Sequence, residues 1–152
     1  MSRKFSSYIP TLIVSLILVS GLVAGGILRK ANLDNSSQEL AIAVTEAIFV
    51  DGNTDPLLAH AHASLVAQYS EENLRKTLLS ISEILGPLQL IESITGGANV
   101  SLIPFLGGAP TANYAIRTNF NEDIAPLIIE MLQEEGSWRF TAYRVDSPML
   151  LN

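Results

Sequence analysis

An α+β domain behind an N-terminal transmembrane helix is the architecture that this chain of 152 residues predicts, and three observations predict it. Ile9 to Leu28 is a run of twenty residues without a charge. From Ser36 to Gly86 the apolar residues recur at helical spacing, between recognisable start and stop signals. Between Tyr114 and Val145 strict alternation takes over, as in a strand whose successive side chains point to opposite faces.

The apolar run is long enough, at 1.5 Å per residue, to cross a hydrocarbon core of roughly 30 Å. Pro10 lies in its first turn, where proline is tolerated. A cleaved signal peptide is the rival reading, since Arg3 and Lys4 precede the run and small residues occur between Val23 and Gly26. Its length and its stop at Arg29-Lys30 favour an uncleaved anchor. Gly26 stands where a lipoprotein processing site demands cysteine, so a lipid anchor is excluded. The expected organisation is an anchor over residues 1–30, a tether over 31–37 and a folded domain over 38–148. Gly21 and Gly25 form a GxxxG pattern beside Ser20 and Ala24, a stripe on which a second membrane helix can approach closely. The expected partners are therefore the membrane and a second copy or other membrane-protein subunits.

Ser36 with Glu39 reads as a capping box opening a helix to about Val50, with Leu40, Val44, Ala47 and Ile48 buried. Asp51-Gly52-Asn53 breaks it, and a second helix runs from Pro56 to Gln68. A third opens at Ser70, carries Glu71/Arg75 and Glu72/Lys76 pairs, buries Leu74, Leu78, Ile81 and Leu85, and ends at Gly86-Pro87. Gln89 to Thr95 reads as a strand. The apolar piece Val100 to Leu106, interrupted by Pro104, is an irregular edge strand or a mobile apolar loop.

The meander follows. Tyr114, Ile116, Thr118 and Phe120 share one face of its first strand, and Leu127, Ile129 and Met131 continue that face on the second. A two-residue turn at Glu135-Gly136 sets Met131 opposite Phe140, Ile129 opposite Ala142 and Gln133 opposite Trp138. On the other face this register places Glu130 between Arg117 and Arg139.

Composition excludes several chemistries. There is no cysteine, hence no disulfide, thiolate metal site or cysteine nucleophile. Ala31 to Asn152 holds five basic and fifteen acidic residues, a net charge of -10 that repels phosphate backbones, so nucleic acid is not an expected partner. Phosphate-loop, dinucleotide and HExxH signatures are missing from the sequence. His60 and His62, the only histidines, fall in a predicted helix, where residues two apart diverge by about 200° and do not share an ion. His60 and Ser64 share a helical face, without an orienting acid or oxyanion hole. No metal, cofactor or catalytic residue is expected. Asn35-Ser36-Ser37 and Asn99-Val100-Ser101 fit the glycosylation sequon, which matters only in a eukaryotic secretory pathway.

The order of three helices, a strand and an antiparallel meander resembles the nuclear transport factor 2-like, or cystatin-like, cone fold. Phe49-Val50-Asp51-Gly52, Leu85-Gly86-Pro87-Leu88 and above all Glu135-Gly136-Ser137-Trp138-Arg139-Phe140 with Tyr143-Arg144-Val145 are similar to segments of its small bacterial families of uncharacterised function. The resemblance implies three helices packed on a curved antiparallel sheet, with a pocket between helices and concave face in which catalytic members hold an aspartate or histidine. On the predicted register that face carries Tyr114, Thr118, Gln133, Trp138 and Arg144 and no carboxylate. The expectation is thus a membrane-anchored, non-enzymatic binding or assembly module with its domain outside a bacterial inner membrane. The alternative is a small-molecule enzyme of isomerase, dehydratase or hydrolase type, its ligand lined by Tyr114, Trp138 and Arg144. A core filled by Ile116, Leu127, Ile129, Met131 and Phe140 weighs against the alternative.

Overall fold

The computed structural model describes the backbone of residues 9–101 and 107–151. Arg3 and Lys4, the side chains of the apolar run before Ser20 and that of Leu22, and the Val100–Leu106 piece from residue 102 onward lie outside the described residues. Four helices precede the sheet: α1 (Ile9–Phe49), α2 (Asp55–Ala59), α3 (Ala63–Gln68) and α4 (Glu71–Leu85). The sheet is antiparallel, in the order β1 (Leu88–Asn99), β2 (Thr111–Phe120), β3 (Ile124–Glu134) and β4 (Ser137–Val145). A final 3-10 turn covers Pro148–Leu151.

α1 corrects the expected tether and capping box, because the helix runs through residues 31–37 without a break. Nothing there interrupts a helix. Lys30 pairs with Asp34 one turn on, at 2.6 Å, and the hydroxyls of Ser36 and Ser37 bond back to the carbonyl of Leu33 in the preceding turn. Ser36 is therefore interior to a helix of 41 residues. Among the described residues no helix is long and apolar enough to cross a membrane.

The expected second helix is two. His60, Ala61 and His62 leave helical conformation, and Ala61 forms a parallel bridge with Phe140 of β4. The His62 N–H donates to the Phe140 carbonyl (2.9 Å) and the Phe140 N–H to the His60 carbonyl (2.8 Å). The segment thus satisfies β4's free edge at one residue, a tertiary demand that outweighs local helix preference. α4 matches its expected course, capped by Ser70, with Leu74, Leu78 and Leu85 buried and a stop at Gly86. Arg75, however, bonds Asp55 (2.6 Å) and Thr54 (3.0 Å), tying α4 to the start of α2.

β1 is longer than expected and irregular. Its half-buried residues Leu88, Ile91 and Ile94 fall every third position, because two register shifts interrupt the pairing with β2. Gly96 is needed where the strands close up, since a Cβ there would lie 2.0 Å from the Asn113 carbonyl oxygen. In β2 and β3 the alternation holds throughout: Ala112, Tyr114, Ile116, Thr118 and Phe120, then Ala125, Leu127, Ile129 and Met131, are all buried. Glu135 (φ 51°) and Gly136 (φ 81°) make the two-residue turn, both in the left-handed region that suits the twist of a hairpin.

β4 follows the expected register only at its start. Gln133 faces Trp138 and Met131 faces Phe140, but Thr141 is an extra residue, so Glu130 faces Ala142 and Ile129 faces Tyr143. The bulge turns Tyr143 into the core and Arg144 outward. It also replaces the expected charge cluster by two separate pairs, Arg144–Glu130 (3.0 Å) and Arg117–Glu92 (2.6 Å), while Arg139 donates to the Ala59 carbonyl.

The core lies between the inner sheet face and the C-terminal half of α1, which contributes Ala41, Val44, Ile48 and Phe49. Phe49 meets Phe120 edge-on at 5.0 Å between ring centres. Leu57, Leu65, Leu74, Leu78 and Leu85 close it from the other helices.

Candidate functional site

The three residues expected to line one pocket do not converge. Tyr114 and Trp138 are buried where α1 crosses the sheet. Tyr114 Oη shares a hydrogen bond with Ser37 Oγ (2.7 Å) and donates to the Asp34 carbonyl (3.2 Å), and burial pushes its pKa above the usual phenol value. Trp138 Nε1 donates to Ser36 Oγ at 3.0 Å. Both rings are core members whose polar ends are satisfied by α1. Arg144 points to the other side of the sheet with a side chain 64% exposed. Where the interior pocket was expected, Ile116, Leu127, Ile129, Met131 and Phe140 are at most 1% exposed.

The histidines act separately. His60 Nδ1 lies 2.9 Å from the Pro56 carbonyl, which only accepts, so that nitrogen carries the proton. His62 Nδ1 accepts from the Ser64 N–H (3.1 Å) and lies 2.7 Å from Ser64 Oγ, which makes the His62–Ser64 pair a local cap of α3. Among the described residues no three His, Cys, Asp or Glu side chains are grouped to hold a metal ion. Gly21 and Gly25 lie on α1 with open space around them: a Cβ at either would meet nothing within 4 Å.

A cavity of about 370 Å³ lies instead between α3, α4 and β4. Leu65, Leu74, Leu78 and Tyr143 form its apolar wall, half-buried Ile81 extends it, and Tyr69 stands at the rim, 48% exposed. All five consecutive residues from Thr141 to Val145 line it. Because alternate residues of a strand point to opposite faces, five in a row can border one cavity only if it follows the strand's edge. The groove exists because the chain pairs with β4 at Phe140 alone and then turns into α3, which runs beside the edge where a fifth strand would lie.

The backbone of that edge is readable from the ladder. The Asp146 N–H bonds the Pro126 carbonyl, so the pairs alternate back from there: Arg144 and Ala142 turn their amides toward β3, and Tyr143 and Val145 turn theirs outward. Phe140, the preceding outward residue, is satisfied by His60 and His62. Tyr143 and Val145 therefore offer N–H and C=O groups to the groove.

The sequence contained a partial signal for this site. Arg139 and Arg144 lie on a strand without an acid, in a domain of net charge -10, and the apolar alternation slips by one residue between Trp138–Phe140 and Tyr143–Val145, the local mark of the bulge that turns Arg144 outward. Chemically the groove offers an apolar wall, main-chain donors and acceptors, and a guanidinium at its margin, a set suited to binding. No family model, curated protein or solved structure matches the chain.

Proposed function

We propose that the protein is a membrane-anchored, non-enzymatic binding or assembly module, its α+β domain of the cone type held outside an inner membrane by its own first helix. The observation that carries this reading is the continuity of α1. Its C-terminal half is core, whereas Val23, Ile27 and Leu28 before it are 47%, 56% and 73% exposed. Large apolar side chains left uncovered in succession mark a surface made for a partner or a lipid phase. They end the uncharged run that begins at Ile9 and stops at Arg29-Lys30. The filled interior supports a binding role over the small-molecule enzyme, and the stripe of Gly21 and Gly25 supports association with a second copy or another membrane subunit.

The test is fractionation followed by protease. The full chain should stay with the membrane pellet after alkaline carbonate washing, and protease added to intact spheroplasts should remove the domain. Release into the supernatant would refute the anchor; complete protection in the pellet would refute the outward orientation.

A further inference from the structure

We infer that the groove between α3, α4 and β4 is a docking site for an extended peptide segment of a partner protein, which adds as a further strand along Tyr143 and Val145 and places an acidic side chain against Arg144. The inference deepens the binding-module reading and rests on it.

Two properties of the edge select a peptide. Outward main-chain groups at Tyr143 and Val145 alternate with inward ones at Ala142 and Arg144, the spacing that a second strand meets. Strand addition obtains its affinity from such main-chain bonds and its specificity from pockets for alternate side chains. Here Leu74, Leu78 and Ile81, one helical face of α4, supply the apolar wall. The chain itself shows the mode at one residue, since Ala61 pairs with Phe140 as a single rung of the strand that the docked peptide would continue.

Charge selects an acidic peptide. Ser137–Val145 contains two arginines and no acid, whereas residues 31–152 carry fifteen acids against five bases. The Arg144–Glu130 pair that now occupies the guanidinium is solvent-exposed on both sides, 64% and 45%, and such pairs exchange partners at little cost. A second copy joined through β4 is disfavoured, because α3 and α4 flank the edge and leave a cavity, not an open sheet border, for the incoming strand.

The full-length protein in lipid nanodiscs tests this against an array of short synthetic peptides that alternate apolar residues with threonine and carry one glutamate or one lysine. Glutamate peptides should bind, and binders should be lost when alternate amides are N-methylated, which removes the strand bonds and keeps the side chains. Arg144→Glu, a surface change, should weaken the glutamate peptides by about tenfold and favour the lysine ones. A second variant, Ile81→Glu, should abolish both, with circular dichroism confirming that it folds. Absence of binding, equal binding of N-methylated peptides, or displacement of peptides by decanoate alone would overturn the inference. Membrane retention is read separately, so loss of the anchor and loss of the groove give different results.

Discussion

Asp34 joins the long helix to the sheet through two contacts, and a third holds it within the helix. Its carboxylate accepts from Lys30 Nζ at 2.6 Å and from the backbone N–H of Ala98, and its carbonyl accepts from Tyr114. The hydrogen bond from Lys30, helped by that from Ala98, holds the carboxyl below its ordinary value of 3.8 against the opposing effect of desolvation. A folded pKa below the unfolded one gives stability that is present at neutral pH and is lost as pH falls through 3.8 toward the folded value. Asp34→Ala strands the N–H of Ala98, which is 4% exposed, and should cost about 1–3 kcal/mol by urea unfolding at pH 7. That difference should shrink below about pH 4. A gap that stays constant with pH would show that the charge of Asp34 contributes nothing. Trp138 sits at the same level and is 5% exposed. Trp138→Ala should cost about 3–5 kcal/mol, as expected for a large core aromatic. A cost near zero would return it to the class of ligand platforms.

At the level of elements, what was legible in the sequence divides by the range of the forces involved. The inner faces of β2 and β3 were legible because alternation is local, and so was the turn, because Gly136 at positive φ is a local demand. α4 was legible from its serine cap and its stop at Gly86. The split of the second helix was not, because its cause is the free edge of β4, some 80 residues further along the chain, as the Arg139–Ala59 contact also shows. The bulge at Thr141 escaped for a related reason: unbroken alternation from Trp138 and Phe140 carries Ala142 and Arg144 to the inner face, and it is the packing of Tyr143 against Thr45 (3.0 Å between hydroxyl oxygens) and Phe140 that favours the shifted register. Arg144 changed sides with that decision, and the expected site dissolved with it. α1 bears its own prediction. Since a Cβ at Gly21 or Gly25 meets nothing within 4 Å, replacing both with isoleucine should leave thermal unfolding of the domain unchanged while weakening co-purification of partners in mild detergent. Unchanged assembly would remove the helix-pairing role.

The whole molecule is arranged along α1. Its first part carries the exposed Val23, Ile27 and Leu28, and its last part carries Ala41, Val44, Ile48 and Phe49 into the core, so one continuous helix links that apolar surface to the folded sheet. Two levels of contact fix that link. Asp34, held by Lys30, and Ser36 and Ser37 bind Ala98, Tyr114 and Trp138 at the sheet end where β1 finishes and β4 begins, and beyond them Thr45 meets Tyr143 of β4 and Phe49 meets Phe120 of β2. The groove beside β4 opens at the other end of that strand, near Val145, which leaves it clear of the helix's exposed part. This division predicts the result of cutting the chain. A protein beginning at Arg29 keeps Lys30, Asp34 and the contacts that Asp34, Ser36 and Ser37 make with the sheet, so it should be monomeric in the absence of detergent and unfold in one cooperative transition, with the near-ultraviolet signal of Trp138 intact. Its stability should lie within about 1 kcal/mol of the full-length protein, because none of the described side chains removed belongs to the buried core. A broad transition or loss of the tryptophan signal would mean that the first part of α1 supports the fold.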